Sequence, residues 1–325
     1  LHIFNVKSHS GVPMKTYIWP VLLFLALLFI FPADCAAGAK NGLLLWFNTM
    51  IPSVFPFILI TGLIRAGGGI RLFNRLFGPV ISRLFGCTSG GSYAVIIGFL
   101  CGYPMGAKAI SDSLNAKVIS RNEAVYLLCF CNNPSPMFVI NFVLGACLAR
   151  PDLTIMFFAV IFTSTWLNAR IWRFFFYRKQ PAFLSVSAQM PMSALSLSVD
   201  GCLISSLELI QKIGGYMIIF SIFCQLLSKL PFPALFNVSG FLPACLSGFM
   251  EQTTGLAALC ALNIDDSVKI IGSAAFVCFG GLAAAAQTYG IISVQRLPLK
   301  YYLISKAGHG IMAGCITAAC LSVMY

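Results

Sequence analysis

Charge is what this sequence lacks. Asp and Glu number nine and Lys plus Arg 21 among 325 residues, 9% of the chain, where a soluble domain carries roughly 25%. So little charge cannot clothe a globular surface, and a 59% hydrophobic content with mean hydropathy +0.89 excludes an ordinary water-soluble fold. Histidine is nearly missing as well: His2, His9 and His309 are too scattered for a ligand set with zinc spacing, so no metal site is expected. No cysteine stands in a C-x-x-C pair. The 13 cysteines are an odd number set largely within apolar runs, which reads as small buried hydrophobes and not as disulfides. G-x-S-x-G, H-E-x-x-H and P-loop motifs are absent, and the Gly-Gly-Ser-Tyr-Ala stretch from Gly90 lacks the second glycine of a nucleophile elbow. No enzyme and no cofactor is expected. The formal charge of +12 raises the question of nucleic acid, but the basic residues lie in short loops between apolar runs. That is the positive-inside pattern, and its partner is a lipid bilayer.

What is present is a set of apolar spans, at about 17–32, 51–64, 124–149, 153–168, 213–227, 268–292 and 302–324. Each is near, or extendable to, the ~20 residues a helix needs to cross a bilayer. The stretch from Met14 to Lys40 resembles a signal peptide, but its apolar part feeds directly into another hydrophobic element, so a retained first helix is expected. Arg71, Arg75 and Arg83 recur at helical spacing among Leu72, Leu76, Phe77 and Leu84, the pattern of a helix lying in the headgroup plane. The Pro- and Ser-rich stretch 179–199 reads as a cytoplasmic linker. It divides the chain into an N-terminal segment with the first helix (1–40), a first repeat (41–178) and a second repeat (200–325).

Two more apolar stretches, 89–116 and 240–261, are broken in the middle by Gly, Pro or polar residues, and each half is too short to cross. Paired half-helices that enter the membrane and return on the same side satisfy the pattern, provided protein buries their irregular backbone. Charge supports this topology. With both stretches re-entrant, Lys40, Arg150, Lys229 and Lys269 are the basic residues that fall outside, Lys108 lies in the first hairpin, and the others, Lys306 included, are assigned to the cytoplasmic side. The first hairpin then enters from the cytoplasm and the second from outside. The offset that aligns Gly106 with Gly255 also aligns Asn132 with Gly281, so each half reads as a hairpin followed by a broken helix, 122–149 in the first and 267–293 in the second. The fold class expected is all-α: a polytopic membrane protein of inverted repeats, as in secondary transporters.

The interruptions supply the candidate binding residues. At the first tip, Gly102 breaks the run, and the free amides of Gly106 and Ala107 beside Lys108 suit a carboxylate or phosphate. Alternatively, Lys108 snorkels to the interface or pairs with Asp112, four residues on. At the second tip, Glu251 with Gln252, Thr253 and Thr254 reads as a helix cap, as the internal partner of Lys108, or as a coupling group for a proton or sodium ion. In the first broken helix, Pro134 and Pro136 free carbonyls near Phe130 and Cys131, while Asn132, Asn133 and Ser135 offer donors and acceptors for a ligand. Gly280, Gly281 and Gln287 are their counterparts, with close packing an equal alternative for the two glycines.

Three stretches, the runs from Gly42 (GLLLWFNTMIPSVFPFILITGLI), Gly98 (GFLCGYPMGAKAISD) and Cys131 (CNNPSPMFVINFVLG), resemble the YlbJ-type sporulation integral membrane proteins of the nucleoside-recognition (Gate) superfamily. SGFMEQTTGL and FGGLAAAAQ fit the second half. The resemblance implies a fold similar to concentrative nucleoside carriers, a bacterial cytoplasmic membrane or outer forespore membrane location, and movement of dipicolinic acid during sporulation. The polar motif of true nucleoside carriers is not recognisable at the first hairpin. The expected function is therefore transport of a small anionic or aromatic metabolite by alternating access, with a non-transporting scaffold of spore-envelope assembly as the alternative. A homo-oligomer or other sporulation membrane proteins are the possible protein partners.

Overall fold

The structure is a computed structural model and describes residues 15–67, 69–177, 198–229 and 240–324. The linker proposed at 179–199 lies almost wholly outside these. Among the described residues every regular element is helical. α1 (Lys15–Ile30) is followed by α2 (Pro32–Leu45), which runs through a π-helical turn (Trp46–Met50) into α3 (Ile51–Ala66). The span expected at about 51–64 therefore begins earlier, and the boundary at residue 40 falls inside a 33-residue apolar stretch, Pro32–Ile64. α4 (Gly69–Phe85) exposes Leu72, Leu76, Phe77 and Val80 and meets the next helix at 95°. Such an angle fits a helix in the headgroup plane feeding one that enters the bilayer.

Both broken stretches form the expected hairpins. α5 (Ser89–Cys101) and α6 (Met105–Asn115) pack on each other, as do α10 (Phe241–Met250) and α11 (Gln252–Cys260). The first broken helix begins as α7 (Arg121–Leu128), loses helical structure through the Asn-Asn-Pro-Ser stretch, and resumes as a π-helical segment, Phe138–Cys147. α8 (Thr154–Tyr177) and α9 (Val199–Ser228) are long spans. The second broken helix is α12 (Asp266–Phe279) and α13 (Gly281–Ile292), followed by α14 (Leu299–Met324).

Five of these helical stretches are long and apolar enough to cross a membrane, six if the bent α4–α5 pair counts as one. Large apolar side chains face outward, among them Phe29, Ile155 and Val323, which in water would be untenable and in lipid is expected. The chain is thus an all-helical polytopic membrane protein. Local capping explains where the helices begin. Thr88, Ser120, Ser198 and Asp265 accept backbone amides of Gly91, Glu123, Gly201 and Ser267 at the starts of α5, α7, α9 and α12.

Contacts at the ends give the two halves opposite polarity. Arg121, at the start of the first broken helix, donates to the carbonyls of Gln295 and Arg296, just past the end of the second (2.7 and 2.6 Å). The same end holds the mouth of the first hairpin, where Gly90 lies against Val118 and Ile119. At the other end the π-helical segment packs on α11 of the second hairpin. The hairpins therefore open toward opposite ends of the molecule.

Candidate functional site

Four irregular points converge at the centre. Gly98 and Gly106 of the first hairpin press on the Cys131 carbonyl, and Gly102 lies against the backbone of Ser135, so this tip fills the first break. On the other side, Gly281 lies against Met250, Glu251 and Gln252 at the second tip. Gly280 and Gly281 have φ of 86° and 76°, a left-handed pair that side chains other than glycine disfavour. Tyr103 joins the two halves: its ring fills the space beside Gly280, and its hydroxyl donates to the carbonyls of Val277 and Cys278 (3.3 and 3.2 Å).

The breaks release carbonyls that would otherwise be bonded within a helix, and a buried polar network takes them up. Ser305 and Asn168 both donate to the Cys129 carbonyl (2.7 and 3.1 Å), and the Asn133 amide donates to the Phe130 carbonyl (2.9 Å). Lys306 Nζ donates to the Asn132 carbonyl at 2.9 Å. The Asn132 amide donates to Thr288 and to the Tyr302 hydroxyl (2.9 and 3.2 Å), while its own oxygen Oδ1 is buried without a partner. Ser135 caps the resuming helix by accepting from the Phe138 amide.

Lys306 is the unexpected member. The charge count assigned it to the cytoplasmic side, yet its side chain is 1% exposed. The correction has a simple cause: α14 starts at Leu299, so Lys306 lies two turns inside the span, held inward by packing of α14 on α8 and α12. Its ammonium reaches the Asn132 carbonyl, His309 Nδ1 at 3.0 Å and the Tyr103 ring at 5.0 Å. Among the described residues no carboxylate pairs with it. His309 is fully buried, with Ser164 and Thr165 at 3.0 and 3.2 Å from Nε2. Thr165 also donates to Asn133 Oδ1 at 3.4 Å, which ties α8 to the break.

Lys108, the cation the sequence singled out, is 3.6 Å from Asp112 and 39% exposed, the pairing its spacing allowed. Gly106 and Ala107 are buried within the hairpin, and Gly106 is used in packing. Glu251 caps α11, accepting from the amides of Thr253 and Thr254 and from the Thr254 hydroxyl (2.9, 2.7 and 2.8 Å). Gln252 Oε1 and Thr253 Oγ1 are buried without partners beside it, and Gln287 is half-buried on α13. The structure thus brings Asn132, Asn133, Ser135, Gly280, Gly281 and the Glu251 tip to one region. Sequence reasoning missed Lys306, His309, Tyr103, Thr288, Tyr302 and Asn168. A lysine and a histidine three apart inside an otherwise apolar 26-residue helix were the legible signal for two of them.

This chain is similar to the sporulation integral membrane protein YlbJ of Bacillus subtilis (strain 168), with 24% identity over 312 residues that cover 87% of this chain and 76% of that protein. The YlbJ-type resemblance holds. No family model and no solved structure matches the chain. The YlbJ likeness spans both repeats and agrees with the helical, membrane-embedded architecture. It supports a membrane location for this chain.

Proposed function

We propose that this chain is a transporter for a small anionic metabolite, bound where the hairpin tips meet the broken helices and moved by alternating access. One observation carries the reading: a lysine buried at the breaks, with no carboxylate partner among the described residues. A charge buried inside a span is costly, about 2.5–3.5 kcal/mol at the helix centre on insertion scales, and nothing in the packing of α14 requires a lysine there. An anion docking beside Lys306 supplies the missing countercharge. The Thr253 hydroxyl, buried without a partner, can donate to such an anion, and the unpartnered oxygens of Asn132 and Gln252 can be met by bridging water.

The YlbJ likeness adds a sporulation setting, and with it dipicolinate, a rigid aromatic dianion, as the substrate to test first. Membership of the nucleoside-recognition superfamily belongs to this same proposal. Uptake of labelled dipicolinate by reconstituted protein tests it. Wild type should exceed empty vesicles, and Lys306→Met should fall at least about tenfold, the effect of losing roughly 1.4 kcal/mol of interaction. Wild-type uptake no greater than that of empty vesicles would sink the transport reading and leave the scaffold role.

A further inference from the structure

Lys306 and His309 sit three residues apart on α14, both buried, with Nζ and Nδ1 3.0 Å apart. An ammonium has three N–H donors, and here it finds three receiving groups: the Asn132 carbonyl, Nδ1 and the face of Tyr103. In that state Nδ1 accepts and carries no proton. The ring proton then resides on Nε2, where the Ser164 and Thr165 hydroxyls accept it. If His309 instead takes a proton on Nδ1, that N–H points at Nζ, and only a neutral amine has the lone pair to receive it. The contact therefore accommodates one positive charge on the pair, on either member.

Among the described residues no carboxylate pairs with that charge. From α12 the titratable neighbour is Cys278 and from the first hairpin tip Tyr103, while Tyr302 of α14 itself meets Asn132 at the break. α8 contributes Ser164, Thr165 and Asn168, and α13 Thr288, none of which titrates in this range. Backbone carbonyls of Cys278 and Ile161 also face His309. A buried site that carries one proton without a countercharge is relieved by one carboxylate of an anion when loaded, or by releasing the proton when empty.

We propose that Lys306 and His309 form a single-proton site that couples anion movement to proton movement, loaded with proton and anion together and returning with neither. The proposal rests on the transport reading above and adds its coupling ion and the place where that ion binds. The proton comes from the aqueous phase on the loading side and leaves to the opposite one. Glu251, fully engaged as a cap, is not needed for it.

The test uses full-length protein in liposomes, with dipicolinate as the probe and the membrane potential clamped. One proton per anion sustains about a tenfold accumulation per pH unit of gradient, with alkalinisation of the loading side. Lys306→Arg fixes the charge, so counterflow exchange of labelled for unlabelled dipicolinate should persist while gradient-driven accumulation is lost. His309→Gln keeps an acceptor for Lys306 but cannot take the proton, and should move the pH of half-maximal uptake by about one unit. It decides the matter if the arginine variant exchanges nothing. Wild-type uptake that ignores the pH gradient and moves no protons would overturn proton coupling while leaving transport intact, as would unchanged profiles in the variants. Absence of any dipicolinate movement in wild type would take both proposals down.

Discussion

At the residue scale, space and hydrogen bonding decide which positions tolerate change. A methyl group on Gly98 would collide with the Cys131 carbonyl, whereas one on Gly215, midway along α9, meets nothing within 4 Å. Gly98→Ala should therefore destabilise the protein by about 1–3 kcal/mol or more, and Gly215→Ala should stabilise it by up to about 1 kcal/mol. Thermal unfolding in detergent would show the two shifts with opposite sign. Glu251→Ala removes the acceptor for two buried amides and a hydroxyl at the second tip. Its expected cost is about 1–2 kcal/mol, the upper part of the range for a lost helix cap. A Glu251→Ala protein as stable as wild type would show that the tip does not depend on this cap. The lysines differ in the same terms: Lys108 is half-exposed with a carboxylate four residues on, and Lys306 is enclosed with none. Hydropathy scores the two alike, which is why a linear reading chose the one beside the conspicuous glycines.

At the element scale, the repeats depend on where helices stop and how closely they approach. The Asn-Asn-Pro-Ser-Pro stretch and the paired glycines announced both broken helices, and the hairpins fell within a residue or two of their expected ends. Proline and positive-φ glycine are local signals, so they could be read locally. The contact between α2 and α9 could not. Gly38 and Gly42 place α2 against the backbone of α9 at Ile222 and Ile218, with Ser221 between, and the Trp46 indole donates to the Ile210 carbonyl further along. The Asp34–Lys229 pair at 3.2 Å closes one end. Small residues four apart let helix backbones approach where lipid offers no hydrophobic drive. Gly42→Leu should accordingly push α2 from α9 and lower thermal stability by more than about 1–3 kcal/mol, the usual cost of overpacking. The same substitution at Gly215, on an open face of α9, should cost far less.

At the scale of the whole molecule, the halves insert with opposite polarity, and this yields a labelling prediction. Arg296→Cys, in a background where accessible cysteines are replaced, should react with an impermeant maleimide from the cytoplasmic side, because this exposed position lies at the mouth of the first hairpin, where Arg121 binds its carbonyl. Asp152→Cys and Asp265→Cys should react from the opposite side, since both carboxylates are exposed at the other end. At that end Arg150, and for Asp265 the Ser267 hydroxyl and amide, hold each carboxyl below the usual carboxylate range. Labelling of all three positions from one side would rule out inverted repeats.

The sequence by itself determined that the chain lives in a membrane, where its spans break, and that two breaks recur in register. Those properties follow from composition and from the backbone limits of glycine and proline, which act within a few residues. Only the tertiary structure decided what occupies the centre. The partners of the freed carbonyls, Asn168, Ser305 and Lys306, lie 39 or more residues away in sequence and arrive on α8 and α14. Burial of a charge depends on which helices surround it, and no local pattern records that.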